Sequence, residues 1–110
     1  MSNEQKVLEL VVYRLNEGVT EAQYREAYDE LSRWVEPRPG FVSRDVLRAE
    51  REDQWIELVW WTNKADAEQA AADAATAPEC AAFFGAVHLD SLLMVLADPA
   101  AAQVLARAAA

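Results

Sequence analysis

Hydrophobic and polar positions along this chain follow periods that divide it into strands and helices. Residues 7–15, V-L-E-L-V-V-Y-R-L, are rich in β-branched and aromatic types and run into the turn signal Asn16-Glu17-Gly18. A first strand is predicted there, with Leu8, Leu10 and Val12 on one face and Glu9, Val11 and Tyr13 on the other. Thr20 followed by Gln23 is a capping-box signature, and Tyr24, Ala27, Tyr28, Leu31, Trp34 and Val35 then recur at helical spacing, predicting a helix over 21–35. Its other face carries Glu21, Arg25, Glu26, Asp29, Glu30 and Arg33, the pattern of a solvated surface. Pro37-Arg38-Pro39-Gly40 ends it, because proline brings no amide donor and disfavours helix in the residue before it.

Residues 41–49 and 54–62 read as a second and a third strand joined by the polar turn Arg51-Glu52-Asp53. The third strand has Ile56, Leu58 and Trp60 on one face and Trp55, Glu57, Val59 and Trp61 on the other, so both faces are apolar apart from one carboxylate. In the second, Val42, Arg44, Val46 and Arg48 share one parity, and a bulge would change the face they occupy. Asn63 with Asp66 three residues on opens an alanine-rich helix through Ala75, whose smooth apolar side approaches a sheet closely but needs bulk from its neighbours. Thr76 and Glu79 suggest a second capping box around Pro78, starting a short helix that ends at Phe83-Phe84-Gly85. Residues 88–96 read as a fourth strand, with Leu89, Leu93 and Val95 on one face and His88, Asp90, Leu92 and Met94 on the other. Asp98-Pro99 then resembles a helix start leading into an alanine-rich tail.

The order β-α-β-β-α-β, with right-handed crossovers, implies an α+β ferredoxin-like domain: a four-stranded antiparallel sheet in the order 4-1-3-2 with its helices on one face. Residues 1–96 make this single domain and 97–110 a C-terminal tail or arm. The helices are expected to cover Leu8, Leu10, Val12, Ile56, Leu58 and Trp60. The opposite face, with Tyr13, Trp55, Val59, Trp61, Leu92 and Met94, is too apolar to meet water, and a second copy of the chain is its simplest cover.

Composition narrows the partners. The net charge is −9 and the ten basic residues are scattered singly, so no Lys/Arg face is available to a nucleic-acid backbone or an anionic membrane. No run approaches the ~20 apolar residues of a membrane helix, and the polar start lacks the pattern of a secretory signal. Cys80 is the one cysteine, so no intrachain disulfide can form, and a reducing cytoplasm fits best. Among Pro78, Ala81 and Phe83 it reads as a small core residue.

The strand L-E-L-V-V-Y-R-L, the P-G-F-V-S entry to the second strand, the aromatic W-I-E-L-V-W-W, the helix start N-K-A-D-A-E and A-P-E-C-A-A-F-F before the last strand resemble the antibiotic biosynthesis monooxygenase-like members of the dimeric α/β-barrel group. The resemblance covers residues 7–96. It implies two sheets packed back to back in a homodimeric barrel, with a pocket inside the barrel or between each sheet and its own helices. Such families include oxygenases that use no metal or cofactor, haem-degrading enzymes and isomerases. The haem-degrading branch implies an asparagine on the first strand, a tryptophan on the third and a histidine on the second helix. Only the tryptophan has a counterpart, in Trp60 or Trp61, because Glu9 and Tyr13 stand on the first strand and the single histidine begins the fourth.

Glu9 and Glu57 share a face of adjacent strands. Two carboxylates in a poorly solvated place do not both ionise readily, so one should have a raised pKa and could move protons; alternatively, each pairs with Arg44, Arg48 or a tyrosine hydroxyl across the dimer interface. His88, oriented by Asp90, is a third candidate base, placed near Glu9 if register allows; otherwise it is a half-exposed residue at a strand start. Tyr13, Trp55, Trp61 and Met94 are candidate ligand-binding residues on the same face, three of them offering flat rings to an aromatic or polycyclic molecule. No metal site or cofactor is expected. Two functions follow: a cofactor-independent monooxygenase acting on an aromatic or polyketide-like small molecule, or a noncatalytic dimer that binds a small apolar metabolite or serves a structural role.

Overall fold

A computed structural model describes residues 6–50 and 53–97. Its elements are β1 (Val7–Arg14), α1 (Glu21–Val35), β2 (Phe41–Arg48), β3 (Gln54–Trp61), α2 (Lys64–Ala74), α3 (Pro78–Ala86), a 3-10 turn at Leu89–Ser91 and β4 (Leu93–Ala97). The four strands form one antiparallel sheet in the order β2-β3-β1-β4, the order expected from the chain's pattern. The tail at 98–110, read as a helix or arm, lies outside the described residues.

Local chemistry sets most of the boundaries. At α1 the Thr20 hydroxyl accepts from the Gln23 amide at 3.1 Å, and the Gln23 side chain accepts from the Thr20 amide at 2.9 Å, completing the capping box. The Asn63 side chain caps α2 by accepting from the Asp66 amide at 2.8 Å. Gly40 enters β2 with φ +82°, and a Cβ there would lie 2.5 Å from the Asp66 carboxylate, so this turn needs glycine twice over. The capping box expected at Thr76 and Glu79 does not form. Ala77 is the cap residue, and the Thr76 hydroxyl turns back to the Asp73 carbonyl; Pro78, whose φ is fixed for a first helical position, starts α3 without it.

The fourth strand is shorter than its pattern suggests. The His88 amide still donates to the Arg14 carbonyl at 2.8 Å, but the chain then turns through Leu89–Ser91, and the Ser91 hydroxyl takes the Arg14 amide at 2.9 Å in place of a backbone partner. Regular pairing resumes at Leu93, opposite Val12.

Both faces of the sheet are apolar as expected, but they are used the other way round. One buried cluster joins Tyr13 to Tyr24 and Ala27 of α1 and Phe83 of α3, and a second joins Val59 and Trp61 to Val35 of α1 and Ala67 and Ala70 of α2. The helices therefore cover the Glu9, Val11, Tyr13, Trp55, Glu57, Val59 and Trp61 face. Leu8, Leu10, Val12, Ile56, Leu58 and Trp60, expected beneath the helices, lie on the open face with Leu47, Leu93 and Val95, which are 52%, 56% and 42% exposed. The reason is complementarity. The polar atoms of Tyr13, Glu57 and Trp61 find their partners on this side, whereas the open face is chiefly aliphatic. The buried side of α2 is alanine, and Trp61 fills the space against it.

A register shift between Phe41 and Ser43 settles the ambiguity of the second strand. It lets Phe41 pack edge-on against Trp61, ring centroids 5.7 Å apart, while Arg44 also points towards the helices.

Candidate functional site

Between the sheet and its helices lies a cavity of about 100 Å³, walled by β1, β2, β3, all three helices and the start of β4. Glu9, Glu57, Trp61 and Met94, four of the residues singled out from sequence, line it together. Leu31, Trp34, Phe83, Phe84 and the small side chains Ala70, Ala71 and Ala74 make most of the remaining wall, with Arg44 beside Glu57.

Glu57 is sealed. Only 3% of it is exposed, and both carboxylate oxygens are engaged: Arg44 donates Nε to Oε1 at 2.7 Å and Nη2 to Oε2 at 3.1 Å, and the Tyr13 hydroxyl donates to Oε2 at 2.5 Å. Since the Tyr13 proton goes to Glu57, the Tyr24 hydroxyl donates to Tyr13, and a chain of bonds links α1 through β1 to β3. Burial, and then the negative charge of Glu57, push the Tyr13 pKa far above the ordinary phenol value, so it remains a neutral donor; burial raises Tyr24 likewise. Arg44 is fixed from its other side by bonds to the Tyr28 carbonyl at 3.0 Å and the Ser32 hydroxyl at 2.8 Å, and it stacks 3.8 Å from the Tyr28 ring centroid. The ion pair thus forms with Arg44 of the same chain, not across a dimer interface.

Glu9 is held differently. Its Oε1 accepts from the Trp61 indole Nε1 at 3.0 Å, the one side-chain hydrogen bond it makes among the described residues. Its pKa lies above the usual carboxylate value, chiefly because burial penalises the charge; the Trp61 bond opposes this, the nearby Glu57 charge adds to it and Arg44 lowers it. Of the two carboxylates on this wall, Glu9 is the one with an oxygen left to meet a ligand.

Three sequence candidates fall elsewhere. Register places Leu96, not His88, opposite Glu9, and His88 sits beside Arg14, roughly 17 Å farther along β1 at ~3.3 Å per residue. It lines an open, polar groove at the end of the sheet with Arg14, Arg48, Glu21 and Trp55. Trp55 packs there at a tilt against Tyr24, ring centroids 4.6 Å apart, with the Arg48 guanidinium 4.5 Å from its centroid, so its ring is already engaged. Tyr13 is wholly buried and reaches the cavity only through Glu57. Trp34 and Phe84 in the wall, and Ser32 behind Arg44, carry no sign of a site in the sequence, since helical spacing does not separate a cavity wall or its support from packed core.

No family model matches the sequence, and no curated protein matches it. Solved structures do. SnoaB of Streptomyces nogalater, a cofactor-independent oxygenase, superposes with a TM-score of 0.70 at 17% identity over 84% of this chain and 91% of its own. A Nitrosomonas europaea protein described as a presumptive antibiotic biosynthesis monooxygenase gives 0.67 at 13% identity, over 89% of this chain and 93% of its own. One of the same description from Chloroflexus aurantiacus gives 0.61 at 14%, over 86% and 92%. The chain has the fold of the antibiotic biosynthesis monooxygenase-like proteins. Of the two pocket positions expected with that fold, the cavity here occupies the one between a sheet and its own helices. Among the described residues, no helix is long and apolar enough to cross a membrane.

Proposed function

We propose that this chain is a cytoplasmic homodimeric oxygenase in which Glu9 acts as general base on a small hydroxylated aromatic substrate, without metal or cofactor. The observation that carries the reading is the contrast between the two carboxylates. Glu57 is locked by Arg44 and Tyr13, whereas Glu9 is held by a single bond from Trp61 beside free volume. A base that removes a phenolic proton works best when its pKa approaches that of its target, and the burial of Glu9 moves it in that direction. The Arg44 cation, close enough to influence Glu9, favours the phenolate that results.

The reaction balances with molecular oxygen as the oxidant. Glu9 takes the hydroxyl proton of an electron-rich phenol, and a ring carbon of the phenolate forms a C–O bond to oxygen. The resulting peroxide anion takes the proton back from Glu9, and the hydroperoxide loses its ring C–H proton and hydroxide together as water as the O–O bond breaks, leaving a quinone. The fold likeness to SnoaB supports oxygenation over other proton-transfer chemistry at the same base.

The open face supports the dimer, since Leu10, Leu58, Trp60, Leu93 and Val95 present an apolar surface there that a second sheet would cover. A noncatalytic binding dimer is the competing reading, favoured by how much of the site's polarity is spent on the internal Arg44–Glu57 pair.

Oxygen uptake measured with a panel of electron-rich phenols tests the proposal. The protein should exceed the buffer rate, and Glu9→Gln should lose roughly 10²–10⁴-fold of that excess while still binding the phenol. Binding without uptake would leave the noncatalytic binding dimer, and neither binding nor uptake would remove the oxygenase.

A further inference from the structure

We propose that the Glu9 cavity admits a single-ring hydroxylated ligand and excludes fused polycycles, with Phe84 setting the limit. This rests on the reading of Glu9 given above and narrows it to a substrate class.

The cavity measures about 100 Å³. An apolar cavity of about 150 Å³ takes one benzene ring, whereas pockets for larger ligands span roughly 300–1,000 Å³. The cavity is half open to solvent on the side of Met94, so one ring fits between the walls with small side-chain adjustments, whereas three fused rings either push a wall back or leave apolar surface in water at the open side.

The walls are tied. On the β2–β3 side, Arg44 is fixed at Glu57, Ser32 and the Tyr28 carbonyl. Trp61 is fixed by its bond to Glu9 and its edge contact with Phe41. On the α2 side the wall is Ala70, Ala71 and Ala74, so there is no long side chain to swing away; room would come only from moving the helix. Arg38 restrains that helix, because its guanidinium pairs with Asp73 of α2 while stacking 4.6 Å from the Trp34 ring of α1. Phe84 packs against the core cluster through an edge contact with Phe83, centroids 5.7 Å apart, and makes no hydrogen bond in this polar frame. Its removal would therefore enlarge the cavity most simply.

The polar inventory agrees with a small ligand. Glu9 supplies an acceptor, and of the five guanidinium hydrogens of Arg44 four are donated to partners among the described residues, leaving one on Nη2. A single hydroxyl or oxyanion matches that supply. Further polar groups would be buried against Leu31, Val35, Phe84 and Met94 without partners.

Titration calorimetry of the full chain with phenol, 2-naphthol and 2-anthrol tests this. Phenol should bind at least tenfold more tightly than 2-anthrol, against the general trend for larger apolar ligands to bind better. Phe84→Ala should strengthen 2-naphthol binding tenfold or more, and Ala74→Leu, which fills the void from the opposite side, should weaken phenol binding by a similar factor. If Phe84→Ala does not fold, the wild-type series and Ala74→Leu still decide. Equal or tighter binding of 2-anthrol by the wild type would overturn the size limit and leave the role of Glu9 standing. If none of the three binds, the catalytic reading falls, and the size limit with it.

Discussion

Arg44 and Glu57 form a two-point ion pair across β2 and β3, Nε to Oε1 at 2.7 Å and Nη2 to Oε2 at 3.1 Å, with only 4% of each side chain exposed. A buried pair of this kind need not stabilise relative to apolar residues of the same size, because both charges lose their water. What it does impose is a penalty on breaking it. Arg44→Met leaves a carboxylate buried with one tyrosine donor and should destabilise by about 3–5 kcal/mol. Arg44→Met with Glu57→Met removes both charges and should recover much of that loss, so urea denaturation of the two single variants and the double should give a strongly non-additive cycle. Additive losses would show that the two side chains act independently.

Glu9 gives the opposite pH signature from an ion-paired carboxylate. Its folded-state pKa is raised above that of an ordinary glutamate, chiefly by burial, so the native state binds a proton more tightly than the unfolded chain. Its contribution is therefore full below that value and is lost as pH rises through the raised folded value. Glu9→Gln keeps an acceptor for the Trp61 indole and removes the titration. The variant should show a flatter stability profile across that window and be relatively more stable than the wild type towards neutral pH. Identical pH profiles would mean that Glu9 titrates as an exposed carboxylate. Because the base must be ionised to act, the acid limb of any phenol turnover should fall in the same window.

The element order, the sheet order and the extent of α1 were legible because each rests on local chemistry: strand composition, the Thr20–Gln23 box, the proline stop and the right-handed crossover. Which face met the helices was not legible from parity alone, since β1 and β3 alternate apolar residues on both sides. Bulk did not separate them either, because Trp60, Leu58 and Ile56 on one face of β3 match Trp61, Val59 and Trp55 on the other; what distinguishes the helix side is that Tyr13, Glu57 and Trp61 find their polar partners there. The polar frame of the site was half legible: Glu57 and Arg44 were visible as a pair to be weighed, but the shift at Phe41–Ser43 that turns Arg44 inward leaves no mark in the sequence. The division of labour between Glu9 and Glu57 depends on which carboxylate captures the arginine, a matter of diagonal register across three strands.

Tyr13 joins the core to the site. Its hydroxyl accepts from Tyr24 and donates to Glu57, and its ring lies edge-on to Phe83 with centroids 5.5 Å apart. Tyr13→Phe keeps the ring and leaves the Tyr24 hydroxyl and one Glu57 oxygen short of a partner, which should destabilise by about 1–3 kcal/mol. Since Glu57 keeps Arg44, the ligand affinity at Glu9 should change little by calorimetry. A large loss of affinity with unchanged stability would make Tyr13 a site residue in its own right.

The open face of the sheet gives the clearest test of assembly. Leu58 lies at its centre, opposite Leu10 on β1 and Asp45 on β2, and no helix among the described residues packs on that side. An apolar surface built from Leu10, Leu58, Trp60, Leu93 and Val95 loses free energy to water at about 25 cal/mol per Å² left uncovered, and pairing with the same face of a second copy removes that exposure. Sedimentation of the wild type should therefore give twice 12.3 kDa at micromolar concentration. Leu58→Glu places a charge in the middle of the paired faces, against its own copy and near Asp45, where it would be buried without a partner. In a monomer the same side chain meets water, so the fold should survive. The variant should sediment at 12.3 kDa with its helical circular dichroism retained. A wild-type monomer, or a dimer that tolerates Leu58→Glu, would show that this face is not where two copies meet.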